Sequence, residues 1–269
     1  LRMSSSTILA KASSDPTGQV STSGLVWEMA RRDILTLFRT PWIIISRSMA
    51  FVIQLFVFAY FISGMVSYPH FFQYYAVGSV VAMVASISFI IGYDIFEEAE
   101  EGLLDYLLTL PVSRRQFIIG RALGGAVRSM IYVIPMFVIV AVLEHFANPL
   151  SILAAVLDLF LLAFGVTGLS ITMAVTVRSA NRFDVMLALL DLAVTRISVA
   201  LYPLTYLPNY VRLIAPYSPV TFASTSVHDA LIGTSLNATN LAGLLAFVAI
   251  FLVLGATIYF RRLEGGVYG

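Results

Sequence analysis

Apolar runs of about twenty residues recur along this chain, and they limit its fold more than any other feature. Stretches such as Phe72–Tyr93 and Leu241–Phe260 match the ~20 residues of helix that cross a hydrocarbon core ~30 Å thick. A backbone in lipid must satisfy its own hydrogen bonds, so each such run has to be a helix. Composition agrees: 59% of the 269 residues are hydrophobic and 12% are charged, against about a quarter charged in soluble domains. The chain reads as an all-α integral membrane protein.

Six transmembrane helices are expected, at Trp42–Met65, Phe72–Tyr93, Ile118–Leu143, Leu150–Val177, Phe183–Leu204 and Leu241–Phe260. Together they make a membrane domain over 42–262. Residues 1–23 are Ser/Thr-rich and read as a disordered tail without a signal-peptide core, and 263–269 as a second tail. Arginines cluster before the first span, after the second, after the fourth and after the sixth, whereas the remaining loops hold only Arg212. The positive-inside rule therefore expects both termini in the cytoplasm of a multi-pass plasma-membrane protein.

Two segments are neither span nor simple loop. In 24–41, Val26, Met29, Ala30, Ile34, Leu37 and Phe38 share one helical face, and Glu28, Arg31, Arg32, Thr36 and Arg39 lie opposite. That pattern predicts an amphipathic helix lying in the membrane interface, ended by Pro41. In Tyr202–Gly233, Pro203, Pro208, Pro216 and Pro219 recur too often for one spanning helix, yet the segment is apolar. Short re-entrant or interfacial helices on the extracellular side would reconcile the two.

The loop after the second span concentrates charge. Glu97, Glu98, Glu100, Glu101 and Asp105 are five of the fifteen acidic residues, and Arg114 and Arg115 follow. Read as a helix over Ile95–Leu110, it is acidic at its start, where a helix dipole favours negative charge, and apolar along one side. Gly102 interrupts it and Pro111 ends it. Such a helix either lies on the membrane surface or is gripped by a partner.

The run FEEAEEGLLDYLLTLPVSRRQF resembles the cytoplasmic loop of type-2 ABC transporter permeases, through Glu98, Glu100, Gly102, Leu104, Asp105, Leu107, Leu108, Pro111, Ser113 and Arg114. The stretch ARRDILTLFRTPW is similar to that family's N-terminal connecting helix, and the proline-rich segment to the one before its last span. The resemblance implies that the charged helix is a coupling helix that docks on a separate ATP-binding subunit through Glu97, Glu98, Glu100, Glu101, Gly102, Leu104, Asp105, Leu108 and Pro111. It also implies a connecting helix carrying Arg31, Arg32, Asp33 and Arg39, a second permease subunit (the same chain or another) as dimer partner, and ATP with Mg on the ATPase rather than on this chain.

Chemistry of the chain's own is sparse. There is no cysteine, which excludes thiolate metal sites and disulfides, and the single lysine, Lys11, lies in no phosphate-binding loop. His70, His145 and His228 are scattered and form no metal-ligand spacing. Neither a nucleic-acid partner nor a bound cofactor is expected; membrane lipids are. Charges inside spans are costly in lipid, so Arg128, Asp158, Asp191 and Arg196 need an account. Their depths allow two ion pairs, Asp158–Arg196 and Asp191–Arg128, either holding helices together or lining a polar path. The expected function is the permease subunit of an ATP-driven exporter of hydrophobic or amphiphilic cargo. An ion-coupled secondary transporter using the intramembrane Asp and Arg residues is the alternative.

Overall fold

The computed structural model describes residues 31, 34–35, 41–101, 114–143, 149–177, 179–232 and 238–265. Every regular element among them is helical. Four helices carry the architecture: α1 (Pro41–Met65), α2 (Phe71–Glu100), α3 (Arg114–Leu143) and α4 (Pro149–Thr176). All four are long and apolar enough to cross a membrane. The 30 residues of α2 and of α3 rise about 45 Å at 1.5 Å each, well beyond a ~30 Å core.

The centre of the bundle is α2 and α4. The first packs on α1, α3 and α4, and the second also on α3 and on the last helix, α8 (Ala238–Gly265). Burial follows: α2 is 83% buried along its apolar length whereas α1 is 17% buried, an outer helix with one face on the core. Leu55 and Ala59 supply that face. Small residues let the central helices approach. Gly92 of α2 faces Ser170 of α4 so closely that a Cβ would lie 1.8 Å from its Oγ, and that hydroxyl donates to Phe89 O at 2.7 Å. Gly78, Ser79, Ala82 and Ala85 of α2, like Gly165 of α4, are buried inside the chain.

Two expectations are corrected. The acidic residues do not begin a separate helix: α2 runs unbroken past Tyr93 to Glu100, so Glu97, Glu98 and Glu100 ride on the second span itself. Nothing between Tyr93 and Glu100 breaks a helix; the first glycine comes at 102. The fifth span is also not one helix. Helix α5 (Ala180–Asp191) passes into a π-helical turn, Leu192–Arg196, and the backbone then leaves helical form at Ile197. Ser198 explains part of this. Its hydroxyl donates to Thr195 O at 2.7 Å and accepts from Ala200 N at 3.3 Å, giving the backbone a competitor to helical bonding.

After this break come short turns set by prolines. A 3-10 turn at Leu204–Tyr206 follows Pro203, α6 (Asn209–Arg212) follows Pro208, and a second 3-10 turn, Ala215–Tyr217, contains Pro216. Helix α7 (Pro219–Ile232) starts on Pro219, the first-turn position where a missing N–H costs nothing. It packs on α2, α4 and α8.

Residues 1–30 and 266–269 lie outside the described residues. So do Arg32, Asp33 and Arg39 of the connecting segment, where Arg31, Ile34 and Leu35 are helical. Gly102, Leu104, Asp105, Leu108 and Pro111 also fall outside them, as does His145.

Candidate functional site

The two ends of the bundle differ in chemistry. At one end, α2 and α3 run antiparallel and are tied by two ion pairs. Arg121 donates to Glu98 Oε2 at 2.9 Å, with both side chains largely buried. Deeper in, Arg128 pairs with Asp94 Oδ2 and lies 6.0 Å from the ring centroid of Tyr132. Asp94 and Glu98 are four residues apart on α2, and Arg121 and Arg128 seven apart on α3, so each pair occupies one helical face.

Arg128 therefore pairs with Asp94 and not, as the depths allowed, with Asp191. Adjacency explains the difference: α3 packs against α2 along its length, and an arginine reaches the nearest carboxylate across that seam. Sequence reasoning passed over Asp94 because it ended the second span at Tyr93. The signal was its spacing of four from Glu98.

The roots of the charged loop are thus clamped. Glu97 and Glu101 are exposed just beyond the clamp, where a partner can reach them. An apolar cluster backs this end: Ile95 and Phe96 of α2 pack with Ala122, Ile171 and Phe183. Phe96 and Phe183 stack at 4.6 Å between centroids, so the start of α5 is anchored beside the charged end.

The proline-rich end holds buried irregular backbone. Ser198, Val199, Ala200 and Leu201 are all buried although none is helical. Their polar groups are met by side chains. Tyr74 donates its hydroxyl to Val199 O. Val199 N donates to Thr221 Oγ1 at 3.1 Å, and that hydroxyl donates onward to Ala215 O at 2.6 Å. Just below, Ser218 donates to Val194 O at 2.8 Å. Gly78 admits the bend: a Cβ there would meet Ala200 O at 1.6 Å. Non-helical backbone at membrane depth is stable only when buried in protein in this way. His228 stacks on Tyr74, with centroids 4.7 Å apart, and among the described residues no group of three metal-binding side chains occurs.

The other charges expected within spans also depart from expectation. Asp158 is buried and accepts a hydrogen bond from Ser226 of α7 at 2.6 Å; it makes no ion pair with Arg196. Asp191 accepts from Ser86 of α2 at 2.8 Å and from Thr195 at 3.0 Å. Hydroxyls from neighbouring helices reach these carboxyls, and Arg196 instead faces outward, exposed. The four residues do not form one constellation. Arg128 belongs to the clamp, Asp158 to the α4–α7 contact and Asp191 to the α2–α5 contact.

Known proteins resemble this chain in sequence. Residues 24–232 match the ABC-2 type transporter family. A protein of Porphyra purpurea that carries the name transport permease ycf38 is 30% identical over 153 residues. That similarity covers 55% of this chain and 52% of the relative, so the chain spans about half the length of the protein it matches. The family match, 24–232, runs through α1 to α4, the clamped loop and the proline-rich segment alike, and on that extent this membrane chain belongs to the ABC-2 type transporter family.

Proposed function

We propose that the chain is the membrane subunit of an ATP-driven exporter, working as a dimer of permeases with two ATP-binding subunits. The clamped end faces the cytoplasm with both termini, and the proline-rich end faces outward. The observation that carries this reading is the continuity of α2 from the bundle core to Glu100, with its charged root fixed to α3 by Arg121–Glu98 and Arg128–Asp94. A push on the acidic segment between 97 and 111 is then delivered to two central helices at once, because packed elements move as rigid bodies. Carboxylates in the segment pair with basic groups on the ATPase, and leucines give it an apolar seat. ATP and Mg belong to that subunit. The cargo is hydrophobic or amphiphilic.

Substituting Leu104 and Leu108 by Asp tests the docking. Membrane insertion should be unchanged, while co-purification of the ATP-binding subunit and ATP-dependent transport are lost; unchanged transport would refute the reading. An ion-coupled carrier finds less support, since Asp158 and Asp191 are each engaged by hydroxyls in separate helix contacts.

A further inference from the structure

Of the intramembrane arginines whose side chains are described, Arg121 and Arg128 each have a carboxylate within the chain. Arg212, nearer the chain's turns, is held by the carbonyls of Leu207 and Thr205. Arg196 has neither: it is exposed and makes no hydrogen bond or ion pair among the described residues. Asp191, one π turn earlier, is occupied by Ser86 and Thr195.

Its depth follows from a count along α5 with Ala180 taken as the edge of the core. Helix α5 starts at the charged end, where Phe183 stacks on Phe96. Counted from Ala180, Arg196 is about 24 Å along the axis, which leaves about 6 Å to the far edge of a ~30 Å core. Tyr75, four residues into α2 from that same far end, lies within electrostatic reach of Arg196 and of Tyr202, with Gln54 of α1 beside its hydroxyl. A guanidinium this close to the edge can extend to the headgroup layer, where anionic groups are at hand.

The surface leading to it is apolar and ordered. Val185, Leu189 and Leu192 are each more than half exposed, and with Arg196 they stand at i, i+4, i+7 and i+11, one stripe of the α5 face. An alkyl chain laid on that stripe ends at the guanidinium. We infer that Val185, Leu189, Leu192 and Arg196 form a binding track for an amphiphile with an anionic head, phosphate or carboxylate, its tail along the exposed stripe and its head on Arg196. Charge complementarity selects this occupant: a neutral amphiphile leaves the guanidinium unpaired, and a cationic one is repelled. The site itself is independent of the exporter reading; only the identity of its occupant as cargo rests on that reading.

The test uses the full chain in phosphatidylcholine nanodiscs, titrated with dansyl-labelled phosphatidic acid and with the diacylglycerol of the same tails. The wild type should bind the phosphatidic acid about tenfold or more tightly, the scale of a charge-assisted hydrogen bond. Arg196→Gln should abolish the preference, Arg196→Lys should keep part of it, and Arg212→Gln should leave it intact. Equal affinities in the wild type, or an undiminished preference in Arg196→Gln with Arg196→Lys properly folded, overturns the site. A second arm adds the ATP-binding subunit. Turnover stimulated by phosphatidic acid in the wild type and not in Arg196→Gln identifies cargo, and preference without stimulation identifies a resident lipid head group. Both uphold the site, and an ATP-binding subunit that fails to assemble with the chain counts against the exporter reading alone.

Discussion

Arg121 of α3 donates to Glu98 of α2 at 2.9 Å, immediately before α2 enters the charged loop and shortly after α3 leaves it. The contact closes the base of the loop. It means that the two helices flanking the acidic segment cannot part without separating a largely buried ion pair.

Breaking that pair from one side should be expensive. Glu98→Ala or Arg121→Ala removes one side of a largely buried ion pair, and breaking such a pair costs up to ~3–5 kcal/mol. Thermal unfolding of the detergent-solubilised protein measures it. The reversed pair, Glu98→Arg with Arg121→Glu, should recover part of the loss. If the clamp transmits force, single variants that still assemble with the ATPase should hydrolyse ATP while transporting less per ATP.

Gly78 and Gly64 offer a matched comparison on two spanning helices. Alanine at 78 drives a methyl into the carbonyl of Ala200, a backbone atom that cannot swing away. Overpacking of this kind costs ~1–3 kcal/mol or more. Alanine at 64 meets nothing within 4 Å and should be neutral or stabilising by up to ~1 kcal/mol through helix propensity. Melting temperatures of the two variants should therefore move apart; equal shifts would mean that the bend at 197–202 does not lean on Gly78.

The bend depends on borrowed hydrogen bonds, so its amides should report their loss. Thr221→Val removes the acceptor for Val199 N and the donor to Ala215 O, and Tyr74→Phe removes the donor to Val199 O. Each leaves buried backbone groups unmet, at ~1–3 kcal/mol apiece. Hydrogen–deuterium exchange should accelerate within 197–202 in both variants and stay unchanged in α3.

Asp158 separates a structural carboxyl from a path-lining one. Asp158→Asn retains an acceptor for Ser226, so assembly and melting temperature should hold within about 1 kcal/mol, whereas Asp158→Leu should destabilise the α4–α7 contact. If Asp158→Asn assembles normally but transport fails, the carboxylate faces the cargo's route and not only Ser226.

Several parts of this molecule were legible in its residues. The apolar runs specify bilayer helices because hydrocarbon leaves the backbone no other partner. The run that holds Glu98, Gly102, Pro111 and Arg114 resembles the transporter family's charged loop, and the prolines of 203–219 announce short turns because each removes a donor and fixes φ. These are local properties, carried by composition and by neighbours along the chain.

Partners were not legible. Equal depth made Asp191 and Asp158 reasonable mates for Arg128 and Arg196, but depth is one coordinate of three, and the packing of α2 on α3 gave Arg128 to Asp94 instead. The fifth span was read as a helix because its composition suits one; its break at Ile197 is stabilised by Tyr74, Gly78 and Thr221, far away in sequence. The sequence alone decided that the chain is a membrane protein built of long apolar helices. Tertiary packing alone decided which charge meets which and where a helix gives way, because those energies arise between side chains that only folding brings together.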